Sequence, residues 1–203
     1  MSGKVAWGVM TVFAILIALY ALTVALVPGL RPPFVAELFG KNSLGTLGHT
    51  AIGGLALGCG AFQFSGRLRT ERAAVHRTLG KIYVVAVIVS GTSALMLAPS
   101  STGGPPAHFG FAFLGVLWVT TAVVAYVRVR GRDYQAHREW MIRSYSLCLA
   151  AVMLRLYLPA AQMMGFRFED AYPVIAWICW VPNLVIAEWF FVRSRFFSLE
   201  GAA

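Results

Sequence analysis

Four histidines, His49, His76, His108 and His137, are all that the chain contains. Each falls near the start of a different long apolar run. If the runs are helices that alternate direction across a bilayer, the four split into two pairs at opposite membrane faces. Neutral imidazole is a good axial ligand for haem iron. Two bis-histidine sites stacked across a membrane are what a transmembrane electron carrier with two b-type haems requires. Two histidines alone make an incomplete zinc or copper site. The competing reading is structural: a histidine at a helix end also caps or fastens helices by hydrogen bonds.

The elements that must position these residues follow from composition. The chain has 203 residues, of which 59% are hydrophobic and 12% charged. A soluble domain of that length carries about 25% charged residues, so the chain reads as one integral membrane domain, embedded in lipid. A net charge of +9 would suit nucleic acid if the charges were clustered on a surface. They lie instead in short loops between apolar runs, which excludes a nucleic-acid partner and points to membrane orientation. Cys59, Cys148 and Cys179 sit inside apolar runs and read as small core residues. The apolar stretch after Lys4 is too long for a signal h-region and lacks an Ala-x-Ala site, so it reads as a retained helix.

A span needs roughly 20 apolar residues. Six are expected, at about 5–27, 46–65, 78–98, 107–127, 142–164 and 172–192. The fold class is therefore all-α, a six-helix transmembrane bundle. Pro28-Gly29 ends the first run, and the Gly103-Gly104-Pro105-Pro106 turn separates the third from the fourth. Thirteen basic residues fall on one side: Lys4; Arg67, Arg69, Arg72, Arg77 and Lys81; Arg128, Arg130, Arg132, Arg138 and Arg143; Arg193 and Arg195. Only Arg31, Lys41 and Arg167 fall on the other. The positive-inside rule places both termini in the cytoplasm.

Spans 2–3 and 4–5 read as two copies of one hairpin. Each has an outer histidine, an apolar span, an arginine-rich loop, a His-Arg pair and a second span. Parallel repeats that pack together commonly form a site at their interface. In an up-down bundle His49 can then face His108, and His76 can face His137. Gly53, Gly54, Gly58 and Gly60 give span 2 a smooth face, open to a flat macrocycle or to a close helix. Arg77 and Arg138, beside the inner histidines, suit propionates.

Arg155, Asn183 and Glu188 lie within spans 5 and 6. An ionisable group inside a membrane costs about 2.5–3.5 kcal/mol on insertion scales and faces the protein interior. Helix rise puts Arg155 level with Asn183, within contact, and Glu188 level with Arg143. Arg155 reads as a propionate anchor, part of a proton path or a structural partner. Pro182 should kink span 6. Trp118, Trp140, Trp177, Trp180 and Trp189 read as interfacial or packing residues.

The chain resembles a family of bacterial membrane proteins known as domain of unknown function 2306. The resemblance is carried by His49 to Gly60, by His76-Arg77-x-x-Gly80-x-x-Tyr83, by His137-Arg138-x-Trp140-Met141-x-Arg143-x-Tyr145, and by Asn183 to Trp189. It extends over spans 2 to 6 and implies a bacterial inner-membrane protein without implying an activity. In topology and histidine placement the chain is also similar to the cytochrome b-561 family. Six-helix members of that family carry four haem-ligating histidines on helices 2 to 5. That resemblance implies two haem b groups, one between His49 and His108 and one between His76 and His137. No ascorbate-binding pattern accompanies it, so the donor does not carry over from that family; quinol or another small reductant is expected to donate. The alternatives are a haem-free small-molecule transporter using Arg155, Asn183 and Glu188, and a membrane assembly or interaction protein with structural histidines.

Overall fold

The computed structural model describes residues 2–193, and every regular element among them is helical. The expected basic residue Arg195 lies outside the described residues. Among the described residues five helices are long and apolar enough to cross a membrane: Val5–Leu26, Ala73–Ser100, Gly104–Arg130, Tyr134–Met163 and Phe168–Val192. The sequence leads one to expect six. The missing one is the second, residues 43–63, which is helical throughout but is not a uniform apolar helix. It consists of α3 (Ser43–Leu47), a π-helical turn (Gly48–Ile52) and α4 (Gly53–Gln63). Its six glycines, with Thr46, His49 and Thr50, dilute the apolar content that the other five have.

The chain divides into two compact units after Ser100. In the first, α1 (Ser2–Leu26) packs on α4, and α4 packs on α6 (Ala73–Leu97). Small residues set the spacing. Ala14, Ala18, Ala21 and Ala25 recur every three or four residues on α1, and all are buried. They form a stripe that the glycines of α4 approach closely. A Cβ on Gly54 would lie 3.1 Å from the Ala18 carbonyl oxygen, and one on Gly58 would lie 3.6 Å from the Ala18 Cβ. Of the two uses expected for the smooth face, a flat macrocycle or a close helix, the second is seen at Gly54 and Gly58, where α1 fills it.

Residues 28–45, between the first two expected spans, hold helical structure. A short turn at Pro28–Leu30 leads to α2 (Pro33–Lys41), which starts at a proline and ends before Asn42. Asn42 then caps α3 by accepting from the Gly45 N–H at 2.8 Å. Arg31 donates to the last carbonyls of α1, Val24 at 3.1 Å and Ala25 at 2.9 Å, and stacks 3.6 Å over the Phe39 ring. Those carbonyls have no partner within α1, and a cation suits the negative end of its dipole. On the far side of α4, Ser65 caps α5 (Gly66–Glu71), which leads into α6.

The second unit starts at the expected glycine turn. Gly103 and Gly104 have φ of +94° and +66°, the left-handed region that glycine enters without strain. Next come α7 (Gly104–Arg130), α8 (Tyr134–Cys148), α9 (Ala150–Met163) and α10 (Phe168–Ile178). Helix α8 begins eight residues before the expected start of the fifth span, because its basic first turns are helical although not apolar. Helix α10 packs on α7 and α9. Their core is Ala107, Tyr172 and Ala176, surrounded by Phe111, Leu158, Phe168 and Trp177. The expected break in the sixth span is present. Helix α10 ends at Ile178, and α11 (Val181–Ile186) starts with Pro182 in its first turn, where the missing N–H costs nothing. A second π-helical turn, Ala187–Arg193, completes the span.

Candidate functional site

His49 lies in the π-helical turn of residues 48–52. Such turns are rare and occur mostly as local departures within α-helices, often at functional positions. Its Nδ1 is 3.3 Å from both the carbonyl oxygen and the hydroxyl of Ser90 on α6. The Ser90 hydroxyl donates to the His49 carbonyl at 3.0 Å. Both atoms facing Nδ1 therefore act as acceptors, and Nδ1 must carry the proton. The lone pair of the neutral ring then sits on Nε2. Ser90 is fully buried. The approach is close because glycines of the second segment face the serines: a Cβ on Gly53 would fall 2.8 Å from Ser90 Oγ, and one on Gly48 would fall 2.6 Å from Ser93 Oγ.

His137 has the same arrangement in the other unit. It lies in the first turn of α8, which Asp133 caps by accepting from the Ala136 N–H at 3.0 Å. Its Nδ1 is 2.8 Å from the carbonyl oxygen of the buried Ala125 on α7. A carbonyl only accepts, so Nδ1 is again the protonated nitrogen and Nε2 holds the lone pair.

His108 is oriented the other way. Its Nε2 lies 2.9 Å from the Ser101 carbonyl oxygen, so Nε2 carries the proton and Nδ1 the lone pair. His76 is partly buried in the first turns of α6. The bonding thus does not follow the sequence repeat. In the first hairpin His49, on the first of its two segments, fastens the helices, and in the second His137, on the second helix, does. The expected pairs, His49 with His108 and His76 with His137, each take one histidine from each unit.

The other expected residues separate. Arg77 and Arg138 are exposed beside their histidines. Arg155 donates from Nη1 to the Ala151 carbonyl at 2.9 Å, one turn back on its own helix. Its expected contact with Asn183 is not made. The Asn183 amide donates instead to Cys179 O at 3.0 Å and Ser146 O at 3.3 Å. Equal depth did not imply contact, because the break before Pro182 turns Asn183 towards α8. Glu188 meets its expected level partner: Arg143 donates to it from Nε at 2.8 Å and from Nη2 at 3.1 Å. The same guanidinium lies 4.7 Å from the Trp140 ring centre. Trp118, Trp177 and Trp180 take packing roles. Trp118 and Trp180 are buried, and Trp177 donates to Pro106 O at 3.0 Å.

Sequence reading missed the groups that hold the histidines. Ser90, Ser101 and the Ala125 carbonyl carry no signature by type. The one available signal was helical phase: His76, Gly80, Tyr83, Val87 and Ser90 recur every three or four residues along α6.

Residues 46–191 match the family of predicted membrane proteins designated DUF2306, and the chain belongs to that family. No curated protein and no solved structure matches the chain.

Proposed function

We propose that this protein is a membrane electron carrier whose histidines hold haem b. The orientation of His49 and His137 carries the reading. Each gives its Nδ1–H to a backbone carbonyl of the neighbouring helix. That is how a ligating histidine is fixed in tautomer and direction, with the lone pair presented on Nε2. Among the described residues no group of three or more His, Cys, Asp or Glu could hold a bare ion. A donor set of two ring nitrogens suits a metal that arrives with its own equatorial ligands. Haem iron supplies one-electron chemistry when bound. The histidine rings would hold the iron, Arg77, Arg138 and Arg155 would be cations for its propionates, and the apolar helices would exclude water. The assignment pairs His49 with His108 and His76 with His137, with quinol or another small reductant as donor. His108 fits least well, since its Nε2 must leave the Ser101 carbonyl or its Nδ1 must bind instead.

A visible spectrum of protein expressed with ample haem tests this. Low-spin b-type bands with two haems per chain are expected. His49→Ala and His108→Ala should each remove one haem, and His76→Ala and His137→Ala the other. A folded, colourless protein would exclude the carrier. The histidines would then be fasteners in a haem-free transporter or assembly protein. In that reading the bonds from His49 to Ser90 and from His137 to Ala125 would be the fastenings themselves.

A further inference from the structure

The end of α7 that enters the basic loop carries a groove of about 610 Å³, lined by Val123, Val124, Val127, Arg128, Gly131 and Asp133. Three valines make its wall, and one arginine and one aspartate make its rim. By helix rise, Val123 and Arg128 are about 7–8 Å apart along the axis. The apolar wall therefore lies toward the middle of the helix and the charge toward its end. This is the profile of a lipid, with chain below and headgroup above.

The rim is shaped by how α7 stops. The Gly131 N–H donates to Val127 O at 3.0 Å and the Asp133 N–H to Arg128 O at 3.0 Å, with Arg132 left-handed at φ +64°. Asp133 Oδ1 is occupied as the cap of α8. Its Oδ2 is 3.7 Å from Arg128 Nη1, with the two side chains 45% and 52% exposed. A pair that long and that wet is weak, so Arg128 keeps most of its charge for another anion. Arg130 and Arg132, both exposed, add two positive charges against the single carboxylate.

We propose that this groove binds an anionic phospholipid of the leaflet that the basic loops face. One acyl chain lies along Val123, Val124 and Val127, and the phosphate lies against Arg128. Charge complementarity selects the occupant. A zwitterionic lipid brings a cation toward Arg130 and Arg132, and an apolar peptide leaves Arg128 without a counter-charge. The site does not depend on whether haem is bound.

The test is native mass spectrometry of the whole chain in a non-ionic detergent, titrated with phosphatidylglycerol or phosphatidylcholine. Phosphatidylglycerol should be retained preferentially. Arg128→Gln should lower its retention about five-fold, the share of one arginine at an anionic surface. Asp133→Asn keeps a good helix cap and removes the competing carboxylate, so retention should rise. A rise cannot come from unfolding. Arg67→Gln, in the other basic loop, should change nothing. Equal retention of the two lipids, indifference to Arg128→Gln, a fall with Asp133→Asn, or displacement of the lipid by inorganic phosphate would each overturn the proposal.

Discussion

The Ser90 hydroxyl donates a hydrogen bond to the His49 carbonyl oxygen at 3.0 Å and accepts one from the His49 Nδ1–H at 3.3 Å. This exchange fixes the tautomer of a ring in the middle of a π-helical turn. Nitrogen NMR of histidine-labelled protein in micelles should therefore find Nδ1 of His49 and of His137 protonated, and Nε2 of His108 protonated. Ser90→Ala keeps the Ser90 backbone carbonyl, so the His49 tautomer should persist. The lost hydroxyl should cost about 1 kcal/mol in unfolding free energy. A His49 in the unmodified protein with no proton on Nδ1 would refute this bonding.

The same contact forbids a methyl group nearby. A Cβ on Gly53 would stand 2.8 Å from Ser90 Oγ, where no real Cβ fits. Gly53→Ala must push apart the second segment and α6, or force Ser90 to give up the His49 carbonyl. About 1–3 kcal/mol of destabilisation is expected from such overpacking. Gly66→Ala is the control, since a Cβ there meets nothing within 4 Å. Thermal unfolding in detergent should separate the two, and equal midpoints would show that the packing at Gly53 is loose.

Much of the fold could be read from the chain, because a bilayer accepts few solutions. Apolar runs must be helices there, and Pro28-Gly29 and Gly103-Gly104 end them where expected. Level partners were also legible, as Arg143 and Glu188 show. What could not be read is azimuth. The alanine stripe of α1 and the glycines of α4 are each visible, but nothing in either says that it packs on the other. Asn183 and Arg155 share a depth, yet Asn183 bonds Ser146 and Cys179 carbonyls instead. Ser90 is one small hydroxyl in an apolar helix, and only its phase relative to His76 and Tyr83 hints that it is buried. The π-helical turns leave no mark in composition. They were invisible even though they hold His49 and Glu188.

Glu188 and Arg143 form a two-pronged ion pair with side chains 35% and 17% exposed. Glu188→Gln removes the charge and leaves the guanidinium partly buried against Trp140. A loss of about 3 kcal/mol is expected, the low end for a buried pair because Glu188 is a third exposed. Arg143→Met with Glu188→Met should recover most of it, since a well-packed apolar pair replaces a buried ion pair at little cost. A double-mutant cycle reads the coupling directly, and strictly additive effects would mean that the pair contributes nothing.

Orientation is the prediction with the widest consequences. The three basic residues expected on the sparse side are all engaged locally: Arg31 with α1 carbonyls, Lys41 with Glu37 at 2.6 Å, and Arg167 with Glu169 at 3.6 Å. On the other side Arg67 and Arg128 have acidic neighbours, at 2.9 and 3.7 Å, but Arg69, Arg72, Arg130 and Arg132 are exposed in the loops. The positive-inside rule acts on such charges near span ends. Reporter fusions at Arg69 and Arg132 should therefore read as cytoplasmic, and those at Gly104 and Arg167 as external. A fusion at Gly40, on the exposed surface of α2, decides the status of residues 43–63. An external reading at Gly40 with a cytoplasmic one at Arg69 makes that glycine-rich segment a sixth crossing. If Gly40 and Arg69 read on the same side, the segment does not cross. His49 and His108 would then lose the common membrane face that their pairing as ligands requires.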